Sequence, residues 1–79
     1  MDAPTLADRI VFWRQRAGLT RDKLAAELGL TPPAVSNWMA GRNNPGYDMI
    51  EKIAKVCGVT LPVFFGPLPV QRGKRKARG

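Results

Sequence analysis

Seventy-nine residues with thirteen lysines and arginines, six acidic residues, no histidine and one cysteine make a small chain of net charge +7. That length holds one small domain, and an apolar fraction of 44% is that of a chain that folds rather than one disordered throughout. Composition excludes an internal disulfide, since Cys57 has no second thiol, a zinc site built on Cys and His, and a membrane span of about 20 apolar residues.

After a short lead-in, Thr5 is placed to cap a first helix running to about Ala17. Leu6, Ile10, Trp13 and Ala17 form its inward stripe, with Arg9, Arg14, Gln15 and Arg16 off or beside it. Gly18 stops this helix and Leu19 plugs the turn. Thr20 then opens a second helix over roughly Arg21 to Leu28, and Thr31 opens a third over roughly Pro32 to Met39. Pro32 and Pro33 are tolerated in a first turn, where a missing N–H does no harm. Gly29 lies where the second helix must stop, in a left-handed cap. Leu24, Ala25, Leu28, Val35 and Trp38 recur at helical spacing, so this stretch is a helix-turn-helix.

Gly41 ends the third helix, and Arg42-Asn43-Asn44-Pro45-Gly46 is expected as an exposed, turn-rich loop. A fourth helix follows from about Tyr47 to Cys57, with Asp48 in its first turn and Ile50, Ile53, Ala54 and Cys57 as its buried stripe. Gly58 closes it, and Thr60 caps a last short helix from Leu61 to about Phe65. From Gly66 onward the apolar content falls away. The expected fold is all-α: five helices in a domain over residues 1–66, then a basic, disordered tail over 67–79.

Five of the thirteen basic residues (Arg72, Lys74, Arg75, Lys76 and Arg78) belong to that tail, leaving the rest only mildly positive. Such a balance favours a polyanion, nucleic acid before membrane, because no amphipathic membrane-binding helix accompanies it. The six carboxylates are scattered over helix faces and first turns. With no base of near-neutral pKa and no glycine-rich phosphate loop, neither an enzyme nor a cofactor is expected. The acidic N-terminus lacks the apolar core of a secretory leader, so a cytoplasmic location is expected, in keeping with the lone thiol.

Taken together, these elements resemble the phage-repressor and Cro family of helix-turn-helix proteins, often called Xre-like. The resemblance runs from about Leu6 to Phe65. It is carried by Ile10-x-x-Trp13-Arg14, Gly18-Leu19-Thr20, Leu24-Ala25-x-x-Leu28-Gly29-Leu30-Thr31, Val35-Ser36-x-Trp38-x-x-Gly41-x-x-x-Pro45, Ile50-x-x-Ile53-Ala54 and Gly58-Val59. It implies a five-helix bundle whose third helix enters the DNA major groove, usually from a dimer on a palindromic site.

Position by position, the resemblance places Pro32, Pro33, Ala34, Ser36 and Asn37 against base edges. Asn37 offers a donor and an acceptor to adenine, and Ser36 can bond to several bases. Arg21, Thr31, Arg42, Asn43 and Asn44 fall where backbone phosphates are held. Trp38 continues the Val35 stripe and belongs to the core rather than to base stacking, and Cys57 is expected buried and inert. Tyr47 either covers the start of the fourth helix or touches a phosphate. Val63, Phe64 and Phe65 form an apolar patch suited to a homodimer or a foreign partner, with one phenylalanine in the core. Apart from the resemblance, the tail residues Arg72, Lys74, Arg75, Lys76 and Arg78 have two readings, a solubilising unstructured end or a source of non-specific phosphate contacts.

Two departures from the family stand out. Pro32 and Pro33 replace the usual side-chain donors, leaving only apolar contact such as that to a thymine methyl and shifting some readout to DNA shape. Met39 replaces a glutamate that pairs with the arginine matching Arg14, so Arg14 must find another acceptor, point to solvent or reach a phosphate. The function expected is a sequence-specific duplex-DNA-binding transcriptional regulator, a small repressor. The alternative is an antitoxin-like protein-interaction module on the same scaffold. RNA is a weaker candidate, without aromatics on a sheet to stack bases.

Overall fold

A computed structural model describes residues 3–68; the tail residues Arg72, Lys74, Arg75, Lys76 and Arg78 lie outside that range. Five helices follow in order: α1 (Leu6–Arg16), α2 (Arg21–Leu28), α3 (Pro32–Met39), α4 (Tyr47–Cys57) and α5 (Leu61–Phe65). All regular structure among the described residues is helical, as expected.

Side chains set most of the starts. Thr5 forms a capping box with Asp8, its Oγ1 accepting from the Asp8 N–H at 3.1 Å while its own N–H donates to the Asp8 carboxylate at 3.0 Å. Thr20 Oγ1 accepts from the Lys23 N–H at 3.0 Å, and Thr60 Oγ1 more weakly from Val63 at 3.4 Å. Thr31 departs from this pattern and makes no side-chain cap bond.

The ends of α1 to α4 share one device. At Gly29, φ is +74°, a conformation costly for any residue with a Cβ. It lets the Gly29 N–H reach the Ala26 carbonyl at 3.1 Å and the Leu30 N–H reach Ala25 at 2.9 Å. The same pair of bonds, around another left-handed glycine, closes the other three helices.

α3 packs on α2 and α1, α4 packs on the same two helices, and α5 bridges α1 and α4. The core is Ile10 and Trp13 from α1, Leu24, Ala25 and Leu28 from α2, Val35 and Trp38 from α3, Ile50, Ile53 and Ala54 from α4, and Phe64 from α5. At about 25 cal/mol per Å² of apolar surface removed from water, this cluster supplies the main driving force for folding.

Five residues are too few for a helix to persist alone, and α5 is fixed from outside. Trp13 Nε1 donates to the Phe64 carbonyl at 3.2 Å, and Arg9 Nη1 donates to the Phe64 and Gly66 carbonyls at 3.0 and 2.7 Å. The Arg9 guanidinium also lies 5.9 Å from the centre of the Phe65 ring, within cation–π range.

Four packing expectations change. Ala17 is exposed, because it forms the cap of α1 rather than its last inward turn. Pro45 is buried although its loop is exposed, a burial eased by the absence of an N–H needing a partner. Cys57, at the last position of α4, is half-buried rather than fully buried. Leu68, in the segment expected as tail, is half-buried and packs against the core.

Candidate nucleic-acid interface

α3 turns Val35 and Trp38 inward, and that choice decides what it shows to solvent. Thr31 and Pro33 are exposed, while Pro32, Ala34, Ser36 and Asn37 are half-buried on the flank of the same helix. Arg21, Arg42, Asn43 and Asn44 are all exposed, Arg21 opening α2 and the other three following α3. The helix-turn-helix therefore carries exposed cations at the start of α2 and just after α3.

The N-terminus of α3 is unusual for a helix end. A first turn normally leaves free N–H groups that attract anions. Here Pro32 and Pro33 have no N–H, and that of Ala34 is already bonded to the Thr31 carbonyl at 3.1 Å. The same prolines explain why the Thr31 hydroxyl caps nothing, since one of the N–H groups it would serve does not exist and the other is taken.

Two arginines reach from the flanks onto α3. Arg21 Nη1 donates to Ser36 Oγ at 3.1 Å, while its Nε pairs with the Asp22 carboxylate at 3.0 Å. That ion pair is well exposed and adds little stability. Arg42 Nη1 donates to Asn37 Oδ1 at 3.2 Å. The backbone sets up this second contact: the left-handed Gly41 brings the Arg42 N–H onto the Asn37 carbonyl at 2.9 Å, so the two residues are neighbours before their side chains meet. Sequence reasoning assigned all four residues separately and missed both pairings. The Asn37–Arg42 contact had a signal, the spacing of five residues across a glycine stop. Arg21 and Ser36 are fifteen positions apart and meet only through α2–α3 packing.

Tyr47, at the start of α4 and next to the loop after α3, is 63% exposed and covers little of its own helix. Arg14 answers the loss of the family's glutamate by donating through Nη1 to the Leu19 carbonyl at 2.6 Å. That contact leaves its Nε buried without a partner. Met39 fills its own position as a half-buried residue against the core. Burial pushes the Cys57 thiol above its ordinary value of 9.0, and the Arg14 charge partly opposes the shift.

The apolar patch expected on α5 needs correction at one residue. Phe64 is fully buried and cannot belong to a surface, whereas Val63 and Phe65 remain 48% and 46% exposed. Phe65 stacks edge-on against Phe64, with ring centres 5.0 Å apart. Among the described residues there is no cluster of three or more potential metal ligands, and no helix is long and apolar enough to cross a membrane.

Comparison with known proteins agrees with this architecture. A helix-turn-helix family model matches residues 12–64. The chain is 33% identical over 66 residues to the 26 kDa repressor protein of Escherichia phage HK022, an alignment covering 78% of this chain and 28% of that protein. The chain thus spans less than a third of the length of this relative. Its fold is similar to the crystal structure of NHTF, a hypothetical transcription factor from Neisseria, with a TM-score of 0.70 and 28% identity over 91% of this chain and 79% of that one. The chain belongs to the helix-turn-helix family of the phage-repressor and Cro type.

Proposed function

We propose that this protein is a DNA-binding transcriptional regulator, acting as a repressor in the cytoplasm, that lays α3 in the major groove of a specific duplex site. The observation carrying this reading is the α3 face, with Ser36 and Asn37 on its flank and Arg21 and Arg42 on either side. A groove-reading helix needs polar groups for base edges and cations for the phosphates bordering the groove. Pro32, Pro33 and Ala34 lie toward bases as apolar contacts. Arg21, Thr31, Arg42, Asn43 and Asn44 hold the backbone, Thr31 through a hydroxyl that no cap bond occupies.

Val63 and Phe65 form the contact of a homodimer, so that two α3 helices meet successive turns of the groove. The basic residues Arg72, Lys74, Arg75, Lys76 and Arg78 add sequence-independent phosphate contacts. Each phosphate neutralised adds about −0.9 to the slope of log affinity against log salt.

Selection of binding sites from random duplexes, combined with sedimentation of the free protein, tests the reading. Enriched palindromic sites with a dimer in solution are expected. Failure to enrich any duplex would overturn it in favour of a protein-interaction role. Deleting residues 71–79 should flatten the salt slope on duplex DNA; an unchanged slope would remove the tail from the interface.

A further inference from the structure

Asn37 and Ser36 do not face the groove as free side chains, because each oxygen is already engaged by a guanidinium. An arginine side chain only donates hydrogen bonds. The Asn37 atom 3.2 Å from Arg42 Nη1 must therefore be the carbonyl oxygen, which leaves the NH2 arm of the amide as the free end. By the same logic Ser36 Oγ accepts from Arg21, and its one hydroxyl proton must point elsewhere. Next to each of these donors stands a guanidinium with N–H groups of its own.

We infer that Arg21 and Arg42 are positioning residues that turn Ser36 and Asn37 into hydrogen-bond donors, so that α3 reads acceptor-bearing base edges, guanine above all. Guanine presents two acceptors in the major groove, N7 and O6, whereas cytosine and adenine each present an amino group. An amino donor approaching the Asn37 or Ser36 oxygen meets an atom already bound to a cation. The two-point asparagine–adenine contact, which needs the amide oxygen for the adenine amino group, is disfavoured here. Both arginines thereby contribute to sequence preference as well as to phosphate affinity. This inference rests on the proposed duplex-DNA reading.

The experiment begins with the duplex selected by the full chain. Wild type, Asn37→Ala, Arg42→Ala and the double variant are titrated against that duplex and a scrambled one over the same series of salt concentrations, and wild type also against the selected duplex carrying 7-deazaguanine. Asn37 and Arg42 lie outside the buried core, so the variants are expected to fold, which circular dichroism checks. The selected site should carry guanine opposite α3, and removing its N7 should weaken binding. Arg42→Ala should lower affinity for the selected duplex by about 5- to 150-fold more than for the scrambled one, the range of one good base contact. Adding Asn37→Ala should then change little.

If Arg42→Ala weakens both duplexes equally and flattens the salt slope by about 0.9, Arg42 is a plain phosphate contact and the inference fails. It fails equally if the site carries adenine whose amino group is required. Enrichment of no duplex at all would overturn the DNA reading itself, a result distinct from either.

Discussion

The Phe64 carbonyl is shared by two donors from α1, and that sharing makes a quantitative prediction. Arg9→Ala removes one donor but leaves the carbonyl bonded to Trp13 Nε1, and it leaves the Gly66 carbonyl to a half-exposed position. Trp13→Phe does the reverse. A hydrogen bond involving a charged group contributes about 1.5–3 kcal/mol; Arg9 is half-buried, so the lower end of that range applies. Arg9→Ala is expected to lose about 1.5–2 kcal/mol, and Trp13→Phe about 0.5–1.5 kcal/mol for its neutral bond plus the packing of the larger ring, each a large share of the roughly 5 kcal/mol available to a domain of this size.

In the double variant the buried carbonyl has no donor left, and an unsatisfied buried polar group costs about 1–3 kcal/mol by itself. The combined loss should therefore exceed the sum of the single losses by about 1–2 kcal/mol. The smaller ring at position 13 appears on both sides of the cycle and cancels. Urea unfolding followed by circular dichroism measures all four proteins. Each kcal/mol corresponds to about 4–8 °C in Tm for a domain this small. Additivity within about 0.5 kcal/mol would refute the shared-acceptor account and make α5's attachment a matter of Phe64 packing alone.

Thr20→Ala should cost about 1 kcal/mol by removing the cap on Lys23, while Thr31→Ala should stay within about 0.5 kcal/mol, since no cap bond is lost there; equal costs in urea unfolding would refute the distinction. Met39→Glu should raise stability by about 1 kcal/mol or more by giving the partnerless Arg14 Nε an acceptor, the gain vanishing as pH falls through the carboxylate range. A lower urea midpoint for this variant at neutral pH would show that the carboxylate does not reach Arg14. Cys57 has its thiol value raised by burial, so its contribution to stability is complete below pH 9.0 and is lost as pH rises through the folded-state value. In line with this, its alkylation near pH 8 should be slower in the folded than in the unfolded chain, and equal rates would contradict it.

The helices were legible because their starts and stops are written locally. Thr5, Thr20 and Thr60 mark starts, Gly18, Gly29, Gly41 and Gly58 mark stops, and each apolar stripe keeps one period between them. What escaped depends on residues far apart in the chain. Arg9 looked like a solvated charge beside its stripe, and only the return of α5, fifty-five residues later, supplies its acceptor. Phe64 and Phe65 could not be told apart from periodicity. In a five-residue helix, positions three and four beyond Leu61 both continue the stripe, and the docking angle decides between them. The candidate interface was legible as a set of residue types at the right places, but not as a network, because the Arg21–Ser36 pair joins two helices across a turn.

Pro32 and Pro33 connect these observations. They start α3 at a fixed φ and so help define where the helix begins. In doing so they remove two N–H groups that would draw a phosphate to that end, and they deprive Thr31 of a capping partner. On the proposed duplex-DNA reading, anchoring to the backbone then falls to side chains, and Arg21 and Arg42 are exposed cations that touch α3. Those arginines also hold Ser36 and Asn37, the two polar side chains that the proposed reading leaves for base edges. On that reading, a helix start built from prolines concentrates both grip and readout in two Arg-centred pairs. Affinity and specificity should accordingly fail together when either arginine is removed, whereas a helix with free first-turn N–H groups would keep part of its grip.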